Sequence, residues 1–206
     1  YIACQGNHDL GYIAAEYRYS MMPNYIYPER NSAFAKTLVS TGTNYEGIHT
    51  MENSAYEFHD EAWGDLLIIS FEFAPRDEAL DWARQLIESE RFVNHKVIIL
   101  THSFLATNGD RIVEEGYKLT PRNWAQAVWE KLIYPSKNIK MVLCGHTGNP
   151  PKIRKGEDVD YHMTTSCRVD KAADGHEVIQ MMFNSQNGDG SWNGNGGDCW
   201  LRILEF

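Results

Sequence analysis

An α/β fold is the class this sequence predicts, on three observations. Compact apolar runs alternate with amphipathic stretches along the first two thirds of the chain. Three of those runs, Tyr1 to Cys4, Val97 to Leu100 and Met141 to Cys144, each lead into a short polar motif that contains a His. The last third changes to the partly alternating polar and apolar pattern of half-exposed antiparallel strands. In an open α/β sheet, ligands bind at the carboxyl ends of the strands, which is where all three motifs are expected to fall.

Taken in order, Tyr1 to Cys4 reads as a buried strand already under way at the first residue. Leu10 to Tyr27 is aromatic and turn-rich, a cap beside the first motif, and a helix is expected from about Glu29 to Leu38. Ala55 to Phe58 and Leu66 to Phe73 read as two strands of an antiparallel hairpin, joined through the Trp63-Gly64-Asp65 turn. From Asp77 the apolar positions Leu80, Ala83, Leu86 and Ile87 recur at three- and four-residue spacing, with acids in the first turn, so a helix is expected as far as Phe92.

Val97 to Leu100 is all apolar, as a strand covered on both faces of a parallel sheet would be. A second helix is expected from Thr120-Pro121, Thr as N-cap and Pro at the first helical position, with Trp124, Ala127, Val128 and Leu132 on its apolar face. Met141 to Cys144 repeats the strand, and the crossover between the two strands should be right-handed. Tyr161 to Cys167, Val178 to Asn184 and Trp200 to Phe206 are expected to form a second sheet. Between the last two, Asn187 to Asp198 is too rich in Gly to be other than a loop.

The chain has 206 residues, 43% of them hydrophobic, and no polar or low-complexity stretch that divides it. One domain over residues 1–206 is expected, incomplete at its N-terminus because it opens inside a strand; any signal peptide would precede Tyr1. The formal net charge of −9, with no cluster of Lys and Arg, argues against a nucleic-acid surface. No apolar run reaches the roughly 20 residues of a membrane span, so a soluble chain of unknown localisation is expected. Four cysteines without a CxxC pair read as buried free thiols rather than a disulfide scaffold.

The chemistry lies in Gly6-Asn7-His8-Asp9, Thr101-His102-Ser103 and Gly145-His146-Thr147. Three imidazoles and a carboxamide brought to one rim suit a divalent metal such as Zn, Mn or Fe(II). Each motif alone has a plainer reading, a tight turn or a hydrogen-bonded His at a strand end. Their joint order favours metal binding.

That ordered set resembles the calcineurin-like metallophosphoesterases. Phe71-Glu72-Phe73-Ala74-Pro75-Arg76-Asp77, Thr101 to Leu105 and Gly196 to Arg202 resemble a bacterial branch of the same family, so the likeness spans most of the chain. It implies a four-layer sandwich of two mixed β-sheets flanked by helices, here lacking its N-terminal strands. It also implies two divalent ions, Mn, Zn or Fe, that activate a water for hydrolysis of a phosphate monoester or diester. By the family pattern Asn7, His102 and His146 ligate one metal. His8 is not a ligand but protonates the leaving alkoxide or stabilises the transferred phosphoryl, and Asp9 holds its ring.

The sequence also departs from the pattern. The family's upstream Asp-x-His and Gly-Asp-x-x-Asp motifs are not in this chain, and its Gly-His-x-His reads Gly145-His146-Thr147-Gly148. A ligand of the second metal is thereby missing, for which His162 or His176 is a conceivable substitute. Because Asn7, His102 and His146 are all neutral, weak metal binding is expected of these residues alone. The partner implied is a phosphorylated small molecule or phosphoester substrate. The rival reading is a metallophosphoesterase fold that has lost catalysis and serves as a binding or scaffold module. His49, His59 and His95 read as surface or structural, and Arg76 and Arg111 as members of surface salt bridges.

Overall fold

The computed structural model describes residues 1–148, 165–184 and 203–204. Among these residues it is an α/β structure built on one mixed sheet of seven strands: β1 (Leu38–Thr43), β2 (His49–Asp60), β3 (Gly64–Ser70), β4 (Lys96–Leu100), β5 (Ile139–Cys144), β6 (Thr165–Lys171) and β7 (Glu177–Phe183). The spatial order is β1-β2-β3-β4-β5-β7-β6. The first three strands form an antiparallel meander, β3, β4, β5 and β7 run parallel, and β6 returns antiparallel along β7.

The hairpin expected at Trp63-Gly64-Asp65 is present, with Asp60 opposite Gly64 and Ser54 opposite Ser70. Its first strand is longer than Ala55 to Phe58, because polar Glu52, Asn53 and Ser54 are buried and satisfied by side-chain hydrogen bonds instead of ending the strand. The helix expected from Glu29 to Leu38 is corrected. A 3₁₀ turn over Pro28–Asn31 runs into a single α-turn, α1 (Ser32–Ala35), and the chain then becomes β1. Val39, Thr41 and Thr43 in that strand are β-branched, which suits a pleated surface better than a helix.

Tyr1 to Cys4 is not a strand. Both backbone edges of β3 are taken by β2 and β4, so the N-terminal residues approach it through single contacts, Ser70 Oγ to Ala3 O at 2.8 Å and Cys4 Sγ to Phe71 O at 3.6 Å. α2 (Asp77–Ile87) begins where expected, with Asp77 and Glu78 in its first turn, but stops five residues short of Phe92. Ser89 and Phe92 carbonyls accept from Phe92 and His95 amides in successive turns.

The second helix does not start at Thr120-Pro121. The Asn123 amide donates to the Pro75 carbonyl at 3.0 Å, which holds this segment to the stretch before α2. Helix forms only at α3 (Ala125–Val128), with Trp124 as N-cap, and continues as a π-turn over Trp129–Ile133. Trp124, Val128 and Leu132 are buried as expected.

The expected second sheet is likewise corrected among the described residues: β6 and β7 extend the one sheet through the parallel pairing of β5 with β7, Met141 opposite Ile179 and Cys144 opposite Met182. Half-exposed alternation marked an edge of the same sheet, with Val178, Gln180 and Met182 inward. Tyr161 to Thr164, the Gly-rich stretch from Asn187 and all of Trp200 to Phe206 except residues 203–204 lie outside the described residues.

The main core covers one sheet face. Leu67, Ile69, Val97, Ile99 and Val142 pack there against Leu80, Ala83 and Ile87 of α2 and against Val128, Leu132 and Ile133. At about 25 cal/mol per Å² of apolar area buried, this face is the main stabilising contribution of the fold. No helix of the described residues is long and apolar enough to cross a membrane.

Beneath the loops at the sheet's end lies a buried ionic group. Glu72 accepts from Arg76 Nε at 2.9 Å and lies 3.7 Å from Arg18, and Gln5 donates to Glu52 at 2.6 Å. Arg76 therefore pairs, but in the interior and not at the surface. Arg111 is similar: its guanidinium is mostly buried, bonds Asp170 at 2.6 Å and stacks on Trp129.

Candidate metal and catalytic site

Adjacent parallel strands deliver two of the three motifs. Leu100 of β4 lies opposite Leu143 of β5, and the ladder continues past both strands through Thr101 N to Leu143 O (3.0 Å) and Gly145 N to His102 O (2.9 Å). His102 and His146 thus leave the sheet side by side, their ring centroids 4.8 Å apart. The third motif, Asn7–Asp9, is a single 3₁₀ turn. Gly6 before it lies against the His102 ring, where an added Cβ would meet the imidazole at 3.1 Å.

The donor atoms converge. His102 Nε2 stands 3.0 Å from Asn7 Oδ1 and 3.1 Å from His146 Nδ1. One ring N–H cannot satisfy all three atoms in this arrangement, since His102 Nε2 faces a carboxamide and a second imidazole together. Such spacing suits neighbouring ligands on one ion, because donors about 2.1 Å from a metal, set near right angles, stand about 3 Å apart. The residues therefore fit a divalent metal. Among the described residues no three His, Cys, Asp or Glu side chains group as a metal cage. The set reaches three donors only with the Asn7 carboxamide.

Electrostatics agree with a neutral ligand. Burial, reinforced by His146 alongside, pushes the His102 imidazole down to about 4. Phe73 is among the rings that bury it, packed edge-on against His102 and within 5.9 Å of His146. Tyr117 accepts from Asn7 Nδ2 at 3.1 Å and is also packed on Phe73. Its phenol is raised by burial and by Glu115.

His8 stands at the exposed lip of the resulting cleft, whose volume is about 300 Å³. Its Nδ1 lies 2.9 Å from the Ile13 carbonyl, which fixes the ring and leaves Nε2 without a partner among the described residues. Asp9 does not hold that ring. Its Oδ2 accepts from the Gly6 amide at 2.7 Å, closing the turn that places Asn7, so the orienting role expected of Asp9 belongs to Ile13.

His146 has a positive φ of 64°, a left-handed conformation uncommon for a residue with a Cβ and frequent at functional sites. Asn184 supports it, donating from Nδ2 to the His146 carbonyl at 3.0 Å. The same Asn184 explains Gly148: a Cβ there would lie 2.6 Å from Asn184 Nδ2, so no larger residue fits unless Asn184 moves. His176 does not substitute for the missing ligand. It bonds Asp174 and the Ile139 carbonyl, where β5 begins, at the opposite end of the parallel strands from His146. His162 lies outside the described residues.

His95 is structural, 2.9 Å from Glu57, while His49 and His59 bond Thr41 and Asp65 at the surface. Among the described residues Cys4, Cys144 and Cys167 are free thiols, but Cys167 is exposed and not buried as expected; burial pushes Cys4 and Cys144 up to about 12. Three site residues carried no signal in the sequence: Glu115, Tyr117 and Asn184. The first two lie on an irregular stretch between β4 and α3, and Asn184 on the residue after β7, so no motif or period marks them.

No family model matches the chain. A curated protein of Bacillus subtilis (strain 168), described as uncharacterized protein YvnB, is 24% identical over 206 residues. The match takes in 98% of this chain and 13% of that protein, so the chain spans about an eighth of its relative.

Proposed function

We propose that this chain carries part of a dinuclear site for metal-dependent hydrolysis of a phosphate ester, in a metallophosphoesterase-like α/β fold, a four-layer sandwich of two mixed sheets. The carrying observation is the convergence of Asn7 Oδ1, His102 Nε2 and His146 Nδ1, from three separate segments, within 3.1 Å steps in an open cleft beside His8. Asn7, His102 and His146 would hold one ion of a dinuclear Mn, Zn or Fe centre. When bound, such ions lower the pKa of a water and neutralise phosphoryl oxygens.

The chain's own residues do the rest. Protonated His8, anchored through Nδ1 to Ile13 O, gives its Nε2 proton to the leaving alkoxide and ends as neutral imidazole. Phe73 excludes water behind the ligands, which keeps His102 unprotonated and its lone pair available. The substrate class is a phosphorylated small molecule or other phosphoester. The packing of Asn184 against Gly148, where the family pattern has a second ligand, favours the alternative of a non-catalytic binding or scaffold module.

One experiment separates them: turnover of p-nitrophenyl phosphate and bis-p-nitrophenyl phosphate by the full-length protein with Mn or Zn, beside His8→Ala. Turnover that disappears with chelator and falls about 10²- to 10⁴-fold in His8→Ala supports hydrolysis. Metal binding without turnover of either ester supports the module.

A further inference from the structure

Glu115 is a carboxylate outside every motif, yet it lies behind both His-bearing strand ends. Ser103, the residue after His102, donates its hydroxyl to Glu115 Oε1. The other oxygen, Oε2, is buried and has no hydrogen-bond partner among the described residues, and it stands 3.4 Å from His146 Nε2. A buried carboxylate oxygen without a donor costs more than an exposed one, and this one faces the Nε2 of an imidazole across a gap slightly longer than a hydrogen bond.

The geometry points to Glu115 as the positioning residue of the metal site, an inference that rests on the metal-binding reading above. A neutral imidazole carries one proton. Placed on Nε2, toward Glu115, it leaves Nδ1 as a lone pair aimed at the meeting point of Asn7 and His102; placed on Nδ1, it blocks that point. Glu115 selects the first tautomer. A carboxylate behind a ligating His also raises the ligand's basicity. Through Ser103 and His146 the same side chain ties the end of β4 to the end of β5.

The test compares wild type, Glu115→Gln, Glu115→Ala and Ser103→Ala, with folding checked by thermal unfolding. Two readouts are used: Zn affinity by competition with a chromophoric chelator, and the His146 tautomer by ¹⁵N NMR of the metal-free protein. Wild type should show the Nε2–H tautomer. Both Glu115 variants should lose about 10- to 100-fold in affinity, Glu115→Ala should also populate Nδ1–H, and Ser103→Ala should lose less. A wild-type Nδ1–H tautomer, or unchanged affinity in both Glu115 variants, overturns the role. If wild type binds no Zn, the metal reading fails, and the tautomer of wild type against Glu115→Ala still decides what Glu115 does.

Discussion

His102 concentrates the energetics of the site in one side chain. An imidazole held near 4 in the folded chain against about 6.5 when unfolded is neutral in both states at pH 7. As pH falls below about 6.5 the unfolded state binds the proton first, so stability falls with pH until the folded imidazole also titrates near 4. The loss should approach about 3 kcal/mol at most, and His102→Gln should flatten that part of the profile in urea unfolding followed from pH 7 to 4. His102, His146 and Asn7 were legible in the sequence because each follows an apolar strand or turn signal. Glu115 was not, because nothing local distinguishes it from Glu114; only the fold places it behind His146.

At the scale of elements, the segment from Phe71 to Arg76 links β3 to α2 and is fixed from within. Glu72 is held by Arg76 and Arg18, while Arg18 also donates to the carbonyls of Phe73 and Ala74. Removing the carboxylate leaves buried Arg18 without its nearest counter-ion, and Arg76 with only the exposed Glu78, 3.8 Å away. Glu72→Ala should therefore cost about 3 to 5 kcal/mol in equilibrium unfolding, and should disturb Phe73 and with it the packing behind both histidines. By contrast Leu80→Ala in α2 should cost about 2 to 5 kcal/mol with metal affinity unchanged in the folded fraction.

The strands and α2 were readable because their apolar periods are strong. Two of the misread elements share a cause, burial of polar groups through tertiary contacts: Asn53 and Glu52 extend β2, and Asn123 defers α3. β6 and β7 look half-exposed because β6 is the edge strand of the sheet and β7 lies next to it.

For the whole molecule, the net charge of −9 would, under the proposed hydrolysis, oppose the approach of a phosphate ester. Screening should relieve this, so kcat/KM for p-nitrophenyl phosphate should rise about two-fold or more between low salt and about 0.15 M. A fall with salt would mean that the field at the cleft is positive despite the global balance. The fold class was legible from the alternation of strand and helix. The continuity of the sheet was not, since the pairing of β5 with β7 joins segments more than thirty residues apart.

The backbone ladder that runs on from β4 and β5 into the His-bearing loops has a thermodynamic consequence. Because Gly145 N binds His102 O, the loss of freedom needed to bring two donors together occurs when the chain folds, not when an ion arrives. Exchange of the Gly145 amide should then require the same large-scale opening as the central strands, and an incoming ion would act as a clamp on an already formed frame.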